Sequence, residues 1–156
     1  MSRHQELWLF EPSDLHDLER HIALQSDKKS DGFPAFVDPE PVMTKGRFGR
    51  KKEQDTGFGF SLAHNLEAPD SVLMMVTAPD IDVRARLENA DPPLPDGWSF
   101  FREGGYGVCL VSDGLPDASR TARWMIEALV AFGAPLPTGK IRLYNPGTVS
   151  HSRSDQ

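Results

Sequence analysis

The chain has 156 residues, a formal net charge of −6 at pH 7 and a hydrophobic share of 38%, with 13 glycines and 13 prolines. This length favours one domain with a sizeable core, and the glycines and prolines predict long or numerous loops. The negative charge argues against general affinity for nucleic acid or an anionic membrane. One cysteine cannot form an internal disulfide and no apolar run reaches transmembrane length, so we expect a soluble cytoplasmic protein.

The N-terminal part of the sequence predicts a strand followed by a helix. Leu7–Phe10 is a short, continuous apolar run, typical of a buried strand. Ser13 is a good capping residue for the helix that follows. Leu18 and Ile22 lie one helical turn apart, so we expect a one-sided surface helix over about residues 14–25.

A long charged segment follows at about residues 38–56. Its glycines, prolines and charges predict a loop, and only Ala35–Val37 just before it resembles a strand, which we expect at a sheet edge. The segment holds the main basic cluster of the sequence, formed by Lys45, Arg47, Arg50, Lys51 and Lys52. The rest of the chain has the other twelve of the 17 basic residues but 23 acidic residues, so it is strongly acidic. The pattern therefore predicts a basic loop on an acidic body, which could touch phosphate, RNA or an acidic protein, or simply be solvated.

Two pairs of strands are predicted in the middle of the chain. Apolar and small residues alternate from Phe58 to Leu66, and Ser71–Thr77 has the apolar composition of a buried partner strand. The segments 98–102 and 106–111 flank Glu103–Gly105, which is a strong hairpin signal. Between the two pairs, residues 79–90 fit either a strand, by alternation, or a helix, by composition.

The strongest helix signal covers about residues 117–132. Asp117 or Ser119 can cap its first turn, and Gly133 followed by Pro135 can end it. Its apolar stripe comprises Ala122, Met125, Ile126, Leu129 and Phe132. The polar seam that remains consists of Arg120, Arg123 and Glu127, and we expect it to reach water or a partner.

These elements, with a late alternating strand at Lys140–Tyr144, predict an α+β fold. We expect an antiparallel sheet of about five or six strands with the 117–132 helix and the 14–25 helix packed on one face. Residues 1–147 form the single predicted domain, and we expect the polar tail at 148–156 to be disordered.

Few residues have the spacing that catalysis requires. Ser61 lies in a loose Gly-x-Ser-x-Ala pattern with His64 directly after it, but a nucleophile elbow needs a helix directly after the serine, and the strand alternation continues here. Asp80 and Asp82 would point the same way in a strand and could share a cation or act as an acid/base pair. The histidines show no metal-binding spacing. We therefore predict no catalytic residues, no metal and no cofactor.

The function that this sequence favours is non-catalytic binding of another protein through the acidic surface, as in an inhibitor, immunity protein or adaptor. Its partner would have basic character, and nucleic-acid contact through the 45–52 loop is a weaker alternative. The other alternative is a small hydrolase or ligand-binding domain. Its predicted pocket consists of Ser61, His64, Asp80, Asp82 and Tyr106.

Overall fold

Nine strands and three helices make up the part of the chain that a computed structural model describes, residues 7–26, 34–45, 49, 51–68, 70–103 and 107–145. Only the backbone is described for residues 43–45, 51–54 and 102–103. In chain order the elements are β1 (Leu7–Phe10), α1 (His16–Gln25), β2 (Ala35–Pro39), β3 (Val42–Lys45), β4 (Lys51–Gln54), β5 (Gly59–His64), β6 (Val72–Thr77), α2 (Val83–Glu88), β7 (Trp98–Glu103), β8 (Val108–Ser112), α3 (Ala118–Ala131) and β9 (Ile141–Tyr144).

Seven of the strands form one antiparallel sheet in the order β1-β9-β2-β5-β6-β8-β7. The α+β prediction is confirmed, but the sheet has more strands than the five or six expected. The last strand, β9, lies between β1 and β2, so the 35–37 segment is an interior strand and the expectation of an edge strand was wrong. The sequence could not reveal this neighbour, because β9 is about a hundred residues away along the chain.

All three helices cover the same face of the sheet. The indole of Trp124 on α3 meets the ring of Phe60 on β5 edge to face, with ring centroids 6.3 Å apart. On α1, the backbone carbonyl of Gln25 is 2.9 Å from Nδ1 of His64. Because side chains alternate along a strand, every second residue of the sheet points into this helix-covered layer. Its largest fully buried side chains include Leu18, Ile22, Leu62, Met74, Leu110, Met125, Ile141 and Leu143.

The helix α3 matches the prediction closely, and its apolar stripe explains why. Ala122, Met125 and Leu129 are buried, whereas Arg123 and Glu127 are exposed. Burial of each large apolar side chain contributes about 1.5–3 kcal/mol relative to exposure. The pairing of β7 with β8 is also as predicted, although the tip of that hairpin lies outside the described residues.

Two local expectations need correction, and the choice between strand and helix at residues 79–90 is decided. The helix α1 begins at His16 rather than near Ser13, and its N-cap residue, Leu15, makes no side-chain capping hydrogen bond. The strand β1 is an edge strand with Leu7 and Leu9 exposed, not a buried one. The ambiguous 79–90 segment contains the helix α2, which Asp82 caps by accepting the backbone N–H of Ala85 at 3.1 Å.

The charged 38–56 segment contains regular structure as well. The strands β3 and β4 form a separate two-stranded antiparallel hairpin, in which Val42 pairs with Gln54 at the base and Lys45 with Lys51 at the far end. This hairpin leaves the sheet after β2 and returns to it just before β5. The sequences of its strands, Val-Met-Thr-Lys and Lys-Lys-Glu-Gln, show no alternation of apolar and polar residues, so periodicity could not distinguish them from a loop.

We expect Asp117 to be the residue that stabilises the start of α3. Its carboxylate accepts the backbone N–H of Arg120 at 3.0 Å, whereas Ser119, the other capping residue considered, lies inside the helix. Asp117→Ala should therefore lower the free energy of unfolding by about 1 kcal/mol, and Asp117→Asn by much less, because an amide oxygen can still cap. Urea unfolding measures the difference, and Ser119→Ala is the control. An equal loss for Ser119→Ala would contradict this assignment.

Candidate binding site

The sheet face away from the helices, which we call the open face, carries no helix among the described residues. Strand alternation places on it a set of apolar side chains that are exposed or half-buried: Leu7, Leu9, Phe36, Leu73, Met75 and Val111. An apolar surface that spans several strands without a cover is typical of a contact surface for another molecule.

A cavity of about 390 Å³ lies on the open face, over β2, β5 and β6. Phe36, Ser61 and Met75 are neighbours in one row across these strands, and all three line the cavity. The segment from Asp55 to Phe58, which connects the β3–β4 hairpin to β5, forms another part of its wall. The volume falls within the range of ligand pockets, about 300–1,000 Å³.

Arg142 bonds to two carboxylates that line this cavity. The guanidinium of Arg142 on β9 donates to Asp38 on β2, from Nε to Oδ1 at 2.5 Å and from Nη2 to Oδ2 at 3.3 Å. Its Nη2 also donates to Asp55, which lies beyond the hairpin, at 3.3 Å. The side chain of Arg142 is only 15% exposed, whereas that of Asp55 is 65% exposed. Two carboxylates thus surround one cation, and the cluster has a net charge of −1 when both are ionised.

Two aromatic rings extend this cluster. Tyr144 donates its hydroxyl to Oδ2 of Asp38 at 3.2 Å, and its ring lies 4.6 Å below the guanidinium carbon of Arg142. The ring of Phe36 stacks on Tyr144 with centroids 5.7 Å apart. A guanidinium on an aromatic face adds cation–π attraction to its hydrogen bonds. The result is a layered stack of Arg142, Tyr144 and Phe36 along the open face.

The environment of the cluster changes two pKa values. Burial raises the pKa of Asp38 above its usual 3.8, and it outweighs the opposing effects of Arg142 and Tyr144. Burial, and then the negative charge of Asp38, raise the pKa of Tyr144 from 10.0 to about 12. Tyr144 therefore keeps its proton and remains a hydrogen-bond donor throughout the physiological range.

The structure separates the serine and the histidine of the predicted pocket. Ser61 lies on the open face and lines the cavity, whereas His64 points into the helix-covered layer, where its ring contacts the carbonyl of Gln25. The reason is the period of a strand: residues three positions apart point to opposite faces. The alternating pattern of 58–66 already contained this information.

The remaining members of the predicted pocket do not join Ser61. Asp82 caps α2, and Asp80 is an exposed residue with a φ of 59° in the turn before that helix. The strand that would have aligned the two carboxylates is absent from this segment, so they do not share a face. Tyr106 lies outside the described residues.

The predicted contact residues of α3 lie on the helix side, away from the cavity. Arg120 is exposed and bonds to Asp96 at 3.3 Å, and Arg123 and Glu127 are exposed on the same helix. Of the basic cluster, Lys45, Lys51 and Lys52 lie on the hairpin backbone, whereas Arg47 and Arg50 lie outside the described residues. The Lys45–Lys51 pair is three residue steps, about 10 Å, from the base of the hairpin.

Sequence reasoning missed the cluster of Asp38, Asp55, Arg142 and Tyr144. The signal for half of it was present, since Arg142 and Tyr144 alternate with the apolar Ile141 and Leu143. Nothing in the sequence indicated that β9 would pair with β2, where Asp38 and Arg142 are directly opposite each other. Across the described part of the chain, no group of three or more His, Cys, Asp or Glu side chains could hold a metal ion.

Comparison with protein-family models, curated proteins and solved structures finds no match to this chain. Among the described helices, none has both the length and the apolar character needed to cross a membrane.

We expect the Asp38–Arg142 pair to be energetically coupled. Arg142→Met should lower the free energy of unfolding by about 2 kcal/mol or more, because it leaves a half-buried carboxylate without its main partner. Asp38→Asn combined with Arg142→Met should cost less than the sum of the single changes, by about 1 kcal/mol. Chemical denaturation measures the four proteins, and Lys140→Met, an exposed cation just before β9, is the control. Additive effects would show that the pair is not coupled.

We expect the stability of the protein to fall as the pH rises from 10 to about 12, in part through Tyr144. In this interval the unfolded chain releases the Tyr144 proton and the folded chain retains it, so the unfolded state binds fewer protons and its free energy decreases relative to the folded state. Tyr144→Phe should reduce this slope in urea unfolding, and it should remove the tyrosinate absorbance step at about 12. Tyr106→Phe is the matched control, because the chain has 2 tyrosines. An unchanged step in Tyr144→Phe would contradict the prediction.

Proposed function

We propose that this chain is a non-catalytic cytoplasmic protein that binds a basic protein partner with the open face of its sheet, as an inhibitor, immunity protein or adaptor does. The observation that carries the proposal is the apolar sheet face that no described helix covers, whose cavity has two carboxylates against one arginine. The surface of a sheet this wide suits a protein better than a small molecule, because several strands contribute apolar side chains beyond the cavity.

The overall charge supports a basic partner. A molecule with a net charge of −6 attracts a basic protein over several ångströms before contact and orients its approach. The apolar side chains of the open face would then supply the buried area, with the charges at its edge giving specificity. In this arrangement the exposed Arg120, Arg123 and Glu127 of α3 lie on the side that does not meet the partner.

The geometry gives no support to hydrolysis. Among the described side chains no base lies beside Ser61, because His64 points to the other face, and the contacts given for Ser61 are those of an ordinary strand residue. A serine needs an adjacent base to become a nucleophile.

Ligand binding is the second candidate function, and the volume of the cavity favours it. A small molecule that co-purifies with the protein from its native host and is released on denaturation, identified by mass spectrometry, would support ligand binding over the protein partner.

The protein-partner proposal predicts that Leu73→Lys disrupts binding. Leu73 lies on the open face outside the cavity lining, so a lysine there puts a like charge in the contact with a basic partner. Val130→Lys is the matched control, because Val130 is 70% exposed on the helix side and receives the same change in charge. We expect the native protein and Val130→Lys to capture the same stoichiometric basic protein from the native host, and Leu73→Lys to bind it about tenfold more weakly or worse.

Two results would contradict the proposal. The first is equal capture of the partner by Leu73→Lys and Val130→Lys, with circular dichroism showing that both are folded. The second is the absence of any stoichiometric protein partner in repeated captures with the native protein.

A further inference from the structure

One residue that lines the cavity on the open face, Gly59, has no side chain, and we call the cavity around it the pit. Gly59 lies beside Asp38 on one neighbouring strand and opposite Thr77 on the other. A Cβ atom at Gly59 would lie 2.9 Å from the carbonyl oxygen of Val37 and 3.0 Å from Cβ of Asp38. The glycine therefore allows β2 and β5 to approach with Asp38 between them, and it leaves a depression where its neighbours carry side chains.

The charge in the pit favours a cation. Asp38 and Asp55 both line it, and Arg142 bonds to both. The side chain of Arg142 is 15% exposed and already bonds to these two carboxylates. An incoming anion would therefore have to compete with Asp38 and Asp55 for Arg142. The carboxylate of Asp55 is 65% exposed and can accept a further donor.

The aromatic side of the pit favours one cation over others. Phe36 lines the pit, and it has Tyr144 on one side and Ser61, a pit residue, on the other. A flat, weakly hydrated cation on the pit side of Phe36 would continue the stack that Arg142 and Tyr144 begin. A guanidinium has this shape, and it can pair with a carboxylate through two parallel hydrogen bonds, which an ammonium cannot do.

We propose that the pit around Gly59 receives an arginine side chain of the protein partner. The guanidinium pairs with Asp55 at the mouth of the pit and stacks against Phe36, and the methylene stem packs on Met75. A single arginine in a desolvated pocket is a common anchor of protein interfaces. This inference rests on the proposed function, in that it names the group by which the partner is recognised.

The test uses N-acetyl-arginine amide as the probe with the full-length protein. We expect it to shift the backbone amide NMR signals of Ser61, Met75 and Thr77 in a saturable way and to leave that of Leu129 unchanged. N-acetyl-citrulline amide, which has the same shape without the charge, should produce no saturable shift at these positions. N-acetyl-lysine amide should bind more weakly than the arginine probe.

Asp55→Asn should weaken binding of the arginine probe about fivefold, which corresponds to the loss of one exposed charge pair. Asp113→Asn is the matched control, because Asp113 is exposed after the far end of β8 and the net charge changes equally. Unfolding of Asp55→Asn can be distinguished from weaker probe binding, because the same NMR spectra report whether the protein is folded. Arg142 also keeps its bonds to Asp38 in this variant.

Four outcomes would overturn the inference: no saturable binding of the arginine probe, saturable binding of the citrulline probe at the same sites, equal affinity for the lysine and arginine probes, or equal weakening by Asp55→Asn and Asp113→Asn. These outcomes are distinct from failure of the proposed function. If the arginine probe does not bind while Leu73→Lys still abolishes capture of the partner, the open face is the contact surface and the arginine anchor is wrong.

Discussion

The insertion of β9 between β1 and β2 is the constraint on which the rest of this structure depends. It gives β1 its only strand partner among the described residues, and it places Ile141 and Leu143 in the core at full burial. The same strand carries Arg142 and Tyr144 to the other face, opposite Asp38 and Phe36. One pairing thus joins the two ends of the described chain, completes the core and builds the charged cluster.

The described helices all pack on one face of the large sheet. Three helices cover one face of the sheet and bury its apolar side chains, while the other face keeps apolar side chains of its own that none of the described helices covers. A sheet that serves only as scaffold can present a polar surface on its solvent side. Here the open face instead combines half-buried apolar residues, a cavity and a charge cluster, and this combination motivates the proposal of a binding face.

Local patterns predicted the elements of this protein better than their arrangement. The helix α3 could be located from Asp117, Gly133 and its apolar stripe, because capping, left-handed backbone and helical periodicity act within a few turns. The β7–β8 hairpin was found for a similar reason. Three of the predictions that differed depend on neighbours: the sheet order, the exposure of β1, and the interior position of β2. Two others were local, namely the β3–β4 hairpin where a loop was expected and the start of α1. The candidate site belongs with the predictions that depend on neighbours, because its residues come from three separate parts of the chain.

By itself, the sequence determined where the main helix and most strands of the large sheet lie, though not β3 and β4. It also determined which residues share a strand face, including the opposite directions of Ser61 and His64. Both follow from short-range sterics and from the two-residue period of an extended chain. Only the tertiary structure decided which strands are neighbours, and with that the meeting of Asp38, Asp55 and Arg142. The entropy cost of closing a chain loop rises only slowly with the length of the loop, so many strand orders have a similar cost. The packing of the whole core therefore selects among these strand orders.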